Sequence, residues 1–407
     1  MPVALHVYDK PVRGGGIRQV VESATGLLEG RGWTVRRLRL VRPDAETDPP
    51  IPGEERLPVR FSSLSAPDAA AATAANAARG ADLVHLHLGF TSLSPALVAA
   101  LAGAAPLLVA LHDVTPFCPN GVRLAWPGGR VCERRAGPPC YATLCVGGGS
   151  PLGTLRAARV SLARAAVWDA LVDGATAFLS PSRFLGDLAI RHGAPEEKIV
   201  VLPHAVEWAG AADVPPPSSA PPRLLYAGRL AREKGAALAL EAFARLETPG
   251  AELVFCGDGP LAGALRDRAA RLGVAGSVTF LGWCDRETLR QAIGSARAVL
   301  QPSLVPEGFG LSALEAMALG RPLAGLSRGA CRDWLVDGVT GRAAATPDPA
   351  GLAAAAEPLL ADGALADRLG AAARSRALEA CAPQRVGDRL AALCTALAAG
   401  DWTRTAA

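Results

Sequence analysis

Ala298-Val299-Leu300-Gln301 is a short apolar run, and after four intervening residues comes Pro306-Glu307-Gly308-Phe309-Gly310-Leu311-Ser312-Ala313-Leu314-Glu315-Ala316-Met317. The run has the length and composition of a buried strand, and the glycines mark a turn. The Ala/Leu/Glu/Met segment from about Leu311 favours a helix. With a helix starting there, the N–H groups of Phe309, Gly310 and Leu311 sit where an anion would bind, and the helix dipole adds to the attraction. Glu307 precedes the turn and Glu315 lies a turn inside the helix. A lone Glu near a helix start can be explained by the dipole alone, but that explains one carboxylate and not the whole arrangement.

The same strand, loop and helix alternation extends in both directions. Downstream of residue 222 it predicts strands Arg223–Ala227, Glu252–Cys256, Ser277–Leu281 and Ala298–Gln301, separated by helices. Upstream it predicts strand Val3–Tyr8, a Gly-rich turn and helix Ile17–Glu29. Strand Thr34–Leu40, helix Ala69–Arg79, strand Asp82–Leu88, helix Ser94–Ala102 and strand Leu107–Leu111 follow, then strands near Ala177–Ser180 and Ile199–Leu202. Such alternation implies parallel sheets covered on both faces. Residues 208–222, rich in Pro, Ala and Ser, suit neither helix nor central strand and read as a linker. The expected domains are therefore 1–207 and 223–382, with a last helix, Pro383–Ala399, placed to reach back over the first domain.

A chain of 407 residues, half of them apolar, can fill two cores. The net charge of +4 and the lack of any block of five basic residues argue against a nucleic-acid partner. The start lacks the pattern of a signal peptide, and the apolar windows are shorter than a bilayer span, so a cytoplasmic location is expected. Nine scattered cysteines fit reduced thiols.

Gly228-Arg229-Leu230-Ala231-Arg232-Glu233-Lys234-Gly235 follows a strand at its carboxyl end, where open α/β sheets bind ligands. Arg229 can fork onto phosphate oxygens, and Lys234 supplies a compact charge. A solvated surface loop is the alternative reading.

Taken with that loop, the segment from Glu307 to Glu315 resembles the E-x7-E motif of glycosyltransferase family 4. Tyr226-Ala227-Gly228-Arg229-Leu230 with Lys234-Gly235 resembles the diphosphate loop of that family, and Cys256-Gly257-Asp258-Gly259-Pro260 its G-D-G-P turn. Phe280-Leu281-Gly282-Trp283 resembles its base-contacting loop, and Asp337-Gly338-Val339-Thr340-Gly341 its D-G-x-T-G segment. Asp333 stands where the family often has Glu, and Pro203-His204-Ala205-Val206 replaces a P-N-G-V segment.

The resemblance implies a GT-B fold, two Rossmann-like domains facing each other across a cleft. It also implies retaining transfer of a hexose-type sugar from a nucleotide-diphosphate donor to an acceptor the sequence does not identify. Arg229 and Lys234 would bind the diphosphate, Glu307 the transferred sugar and Glu315 the ribose, with Gly282 on the base side. No cofactor and no metal ligands are expected at this site, since a D-x-D motif is missing and the cations can stabilise the leaving group.

In the first half, Gly14-Gly15-Gly16 lets backbone approach phosphate closely, and Gly15 and Gly16 are expected on the donor side. Leu111-His112-Asp113 ends a strand and resembles the family's H-D segment, which would set His112 toward the donor sugar and Asp113 toward the acceptor. His85 and His87 alternate along a strand and are read as structural. Cys118, Cys132, Cys140 and Cys145 fall in a Gly/Pro-rich insertion without a C-x2-C pair, so a thiol-lined acceptor loop is favoured over zinc. Arg156, Arg159 and Arg164, beside Trp168 on helix Leu155–Val172, could rest on anionic lipid as a peripheral contact, although a solvated face is commoner.

Two other functions compete. Gly257-Asp258-Gly259-Pro260-Leu261-Ala262 matches the G-x-G-x-x-A of NAD(P)-binding oxidoreductases, but off the first strand of its domain and broken by Pro260. A non-catalytic nucleotide-binding GT-B module is the other.

Overall fold

The structure, a computed structural model, describes residues 1–9, 16–41, 53–59, 68–87, 93–125, 130–143, 145–146, 151–208 and 214–402. Within these, the chain divides into two compact units, Met1–Ala205 with Pro383–Ala407, and Val206–Ala382. The division falls two residues before the position read from the sequence, because Val206 N already donates to Cys381 O of the second unit.

The first unit carries a parallel sheet of β1 (Val3–Tyr8), β2 (Thr34–Val41), β3 (Glu54–Pro58), β4 (Leu83–His87), β5 (Leu107–Ala110), β6 (Ala177–Ser180) and β7 (Ile199–Val201). Its order is β3-β2-β1-β4-β5-β6-β7, so the direction of winding reverses between β1 and β4. Helices α1 (Gly16–Glu29), α2 (Asp68–Ala78), α3 (Pro95–Ala102), α4 (Pro138–Ala142), α5 (Pro151–Gly174) and α6 (Arg183–Arg191) join the strands. Strands β4, β5 and β6 are buried along their whole length, as a sheet covered on both faces requires.

The second unit repeats the plan with β8 (Arg223–Ala227), β9 (Glu252–Cys256), β10 (Val278–Gly282), β11 (Ala298–Gln301), β12 (Leu323–Gly325) and β13 (Gly341–Ala343), in the order β10-β9-β8-β11-β12-β13. Helices α7 (Ala236–Phe243), α8 (Ala262–Arg271), α9 (Arg286–Gly294), α10 (Leu311–Ala318), α11 (Cys331–Trp334), α12 (Pro349–Ala361) and α13 (Gly363–Cys381) accompany it. Winding reverses here between β8 and β11, so the loops leaving those two strands flank a crevice at the carboxyl edge.

Helix α14 (Pro383–Ala399) belongs to the first unit. It lays Val386, Leu390, Leu393 and Leu397 against Ala24 and Leu28 of α1. Arg31 clamps its first turn, donating to Gln384 O at 2.7 Å and to Asp388 Oδ1 at 2.8 Å.

Residues 214–222 of the Pro-rich stretch are not a free linker but are built into the second unit. Ser218 N donates to Asp367 Oδ1 at 2.8 Å, and the buried Arg321 donates to Pro215 O at 2.7 Å. A segment whose regular structure is one short 3-10 turn, Pro217–Ser219, can still be fixed when its backbone groups find partners.

The candidate donor site and the family of the chain

Tyr226 near the end of β8 shapes the loop that follows it. Its hydroxyl donates to Arg229 O at 2.7 Å, which turns the chain and leaves the Arg229 side chain 66% exposed, with Glu233 at 3.9 Å. The loop ends at Gly235, in the left-handed region at φ +72°. A Cβ there would lie 2.0 Å from Pro302 O, so only glycine fits against the neighbouring loop. Leu304 N donating to Glu233 O at 3.0 Å ties the two loops together.

That contact brings Lys234 to Glu307. Lys234 Nζ lies 2.8 Å from Oε1 and 2.9 Å from Oε2 of the carboxylate. Glu307 is itself held from behind, since its carbonyl accepts Ala330 N at 2.8 Å.

Helix α10 starts at Leu311, behind Gly310 at φ +88°, with Cys331 Sγ packed beneath the turn. Burial and the nearby Glu307 carboxylate raise the Cys331 thiol well above the ordinary range. Phe309 is a core residue. Its ring meets Trp334 edge-on at 5.6 Å, and its carbonyl accepts Trp334 Nε1 at 2.9 Å, so only its backbone is placed to meet a ligand.

Glu315 sits a turn inside the helix and is almost buried. The ion pair there was not legible in the sequence: Arg286 Nη1 donates to Glu315 Oε1 at 2.6 Å while Nη2 donates to Glu207 at 2.9 Å. The Arg286 guanidinium also lies 4.3 Å from the centroid of the Trp208 ring, a cation–π stack. Asp285, one residue earlier, is a recognisable N-cap, accepting Thr288 N at 2.8 Å. Nothing local says that the next side chain reaches 29 residues along the chain to Glu315.

Gly282 closes β10 at φ +72°, and its carbonyl accepts Gly257 N at 2.7 Å, which joins the loops after β9 and β10. Trp283 beside it is 73% exposed. The G-x-G-x-x-A match thus follows β9, one strand away from the reversal between β8 and β11. Arg229, Lys234, Glu307, Gly310, Leu311 and Glu315 come together around that reversal.

In the first unit, Gly15 lies outside the described residues, and Gly16 is the exposed first residue of α1. His112 follows β5, its ring between His87 at 5.5 Å and His204 at 5.7 Å. Asp113 is partly engaged, since its Oδ1 accepts Thr115 N at 2.8 Å in a local turn.

Among the described cysteines every thiol is free. Cys118 donates to Asn120 Oδ1 at 2.8 Å, and Asn120 Nδ2 reaches Cys145 Sγ at 3.3 Å. Trp168 is core, donating to His192 O at 2.9 Å, and Arg164 turns to Pro119 O at 3.5 Å, while the side chains of Arg156 and Arg159 lie outside the described residues. No helix among the described residues is long and apolar enough to cross a membrane.

His85 and His87 are on one face, where they meet His6 of β1, a contact that no local pattern in the sequence signals. Burial lowers the pKa of all three, that of His6 to about 3.

Residues 15–205 match the family described as glycosyl transferase 4-like domain, and residues 213–376 match glycosyl transferases group 1. A glycogen synthase of Mycobacterium tuberculosis is 40% identical over 162 residues, 39% of this chain and 39% of that protein. A phosphatidyl-myo-inositol mannosyltransferase of Mycolicibacterium smegmatis is 35% identical over 43% of this chain and 46% of its own length. The chain thus matches less than half the length of these curated relatives. The fold of Anabaena HepE, solved in complex with UDP and glucose, superposes with a TM-score of 0.70 at 17% identity, covering 97% of this chain and 100% of that one. The two family matches take in most of the chain and divide where its two parallel sheets divide, and this chain belongs to the GT-B glycosyltransferases, a glycosyl transferase 4-like domain followed by a group 1 domain.

Proposed function

We propose that the chain transfers a hexose-type sugar from a nucleoside-diphosphate donor to an acceptor, with retention of configuration and without a divalent ion at the donor site. The observation that carries this reading is the Lys234–Glu307 pair beside the exposed Arg229 and the start of α10. A cation held in place by a carboxylate is pre-positioned for a diphosphate, and the backbone at a helix start adds a fixed dipole toward developing negative charge.

In this scheme Arg229 and Lys234 stabilise the departing diphosphate, with the backbone at Phe309, Gly310 and Leu311. Glu307, released from full pairing with Lys234 when phosphate oxygens arrive, accepts hydrogen bonds from the sugar. Glu315 does the same for the ribose, exchanging Arg286 for hydroxyl donors. His112 is assigned to the sugar and Asp113 to the acceptor. HepE, solved with UDP and glucose, lends support to a uridine donor.

A thermal-shift series with UDP, GDP, ADP, their hexose conjugates and NAD tests the reading, because a bound ligand stabilises the fold by mass action. Stabilisation by one diphosphate and its sugar conjugate is expected. Stabilisation by NAD alone would point to the oxidoreductase instead. Anomeric NMR of the product of slow donor hydrolysis then reports stereochemistry, and binding without any turnover would point to the non-catalytic module.

A further inference from the structure

The first unit holds a cluster of imidazoles to which the proposed transfer scheme gives no role. His6 on β1 is paired in register with His85 on β4, and His87, two residues on, shares their face of the sheet. The ring centroids lie 4.9 Å, 5.0 Å and 3.9 Å apart, and all three residues are at most 1% exposed. One nitrogen from each lies within 4.8 Å of the others. His6 Nδ1 contacts Thr25 Oγ1 of α1 at 3.1 Å. The remaining five ring nitrogens, His6 Nε2 and both on His85 and His87, have no hydrogen-bond partner among the described residues.

Five orphaned nitrogens on three adjoining buried rings are costly, since a buried polar group left unpaired keeps its full desolvation penalty. From this cluster we propose that His6, His85 and His87 form a transition-metal site, with Zn2+ as the occupant that fits best. Neutral imidazoles, the form that burial enforces, are what a metal ion takes as ligands. A set of nitrogens without a carboxylate suits Zn2+, Ni2+ or Cu2+ and not Mg2+ or Ca2+, which take oxygen. The Thr25 contact is the outer-shell bond that commonly orients a ligating imidazole, and it leaves Nε2 of His6 for the ion.

Beside His85 and His87 lies a cavity of about 30 Å³, lined also by Ser23 and His204, with room for a water as fourth ligand. Ligands on a tetrahedral zinc stand about 3.3 Å apart, so nitrogens now within 4.8 Å of one another close by up to about 1.5 Å on loading. The ion would tie β1 to β4 at the point where the winding of this sheet reverses.

The test uses the full chain without an affinity tag, stripped with chelator, reloaded with Zn2+ or Co2+ and dialysed. About one ion per chain is expected to remain, with a rise in melting temperature that chelator reverses. X-ray absorption should show nitrogen or oxygen neighbours near 2.0 Å with imidazole outer-shell scattering. The replacements His6→Phe and His87→Phe should each lower retention about tenfold or more. Because either variant can fail to fold, retention is compared only where melting stays cooperative, and the absorption spectrum of the wild-type chain stands independently of both. Retention of less than about a tenth of an ion by the wild-type chain overturns the proposal. So does a shell of sulfur neighbours at about 2.3 Å, which would place the ion on cysteines.

Discussion

Lys234 and Glu307 lie 73 residues apart in the chain, yet the ammonium of one meets both carboxylate oxygens of the other, at 2.8 Å and 2.9 Å. The pair joins the loops that follow β8 and β11, the two strands between which the sheet reverses its winding. With Lys234 37% exposed, the pair adds little to stability, and its value lies in positioning.

Removing either partner should therefore affect turnover far more than folding. Lys234→Ala is expected to lower kcat/KM for the donor by about 10²- to 10³-fold, as for other groups that stabilise a leaving charge. The melting temperature should change little. Steady-state kinetics beside calorimetry check both halves, and a variant of near wild-type activity would remove Lys234 from the mechanism.

Gly235 should tolerate no side chain. Gly235→Ala places a Cβ against Pro302 O in a left-handed backbone and is expected to cost about 2 kcal/mol or more in the second unit. Loss of diphosphate binding should accompany it, because the Lys234 loop can no longer lie against the Glu307 loop. Urea denaturation and nucleotide titration of the same sample test this, and unchanged affinity would show that the close approach is dispensable.

Arg286 neutralises a carboxylate that is otherwise almost out of water. Glu315 is only 5% exposed, so Arg286→Ala should destabilise the second unit by about 1–3 kcal/mol. The change Glu315→Gln in that background should restore part of the loss, since the stranded charge is then gone. A double-mutant cycle measures the coupling, and additive effects would mean that the pair does not act as one.

Burial pushes Cys381 in the second unit and Cys394 in the first up to about 12 from an ordinary 9.0. The unfolded chain then loses these protons before the folded one does. Stability is fully present below about pH 9 and falls as pH rises through 12, by about 1.4 kcal/mol per unit for each thiol. Urea midpoints at pH 8 and pH 10 should differ accordingly. Replacing each by Ala should flatten the dependence, and an unchanged slope would assign it to other groups.

Much of this was written locally. The strand, glycine turn and helix around residues 298–317 was readable because each element is set by its own few residues: apolar β-formers, then glycines, then helix formers beginning at Leu311. Arg223–Ala227 and Glu252–Cys256 were legible to the residue for the same reason. Leu323–Gly325 and Gly341–Ala343 were not, since three residues are too few to show a period. Glu54–Pro58 hid behind its charges as an edge strand.

Composition and motif order in the sequence determined two α/β units and which loops would carry cations and carboxylates. Only tertiary structure decided which of those groups meet: Lys234 with Glu307, Arg286 with Glu315, and His6 with His85 and His87. Strand order and register set these pairings. They follow from how whole elements pack, and no local window of sequence records that.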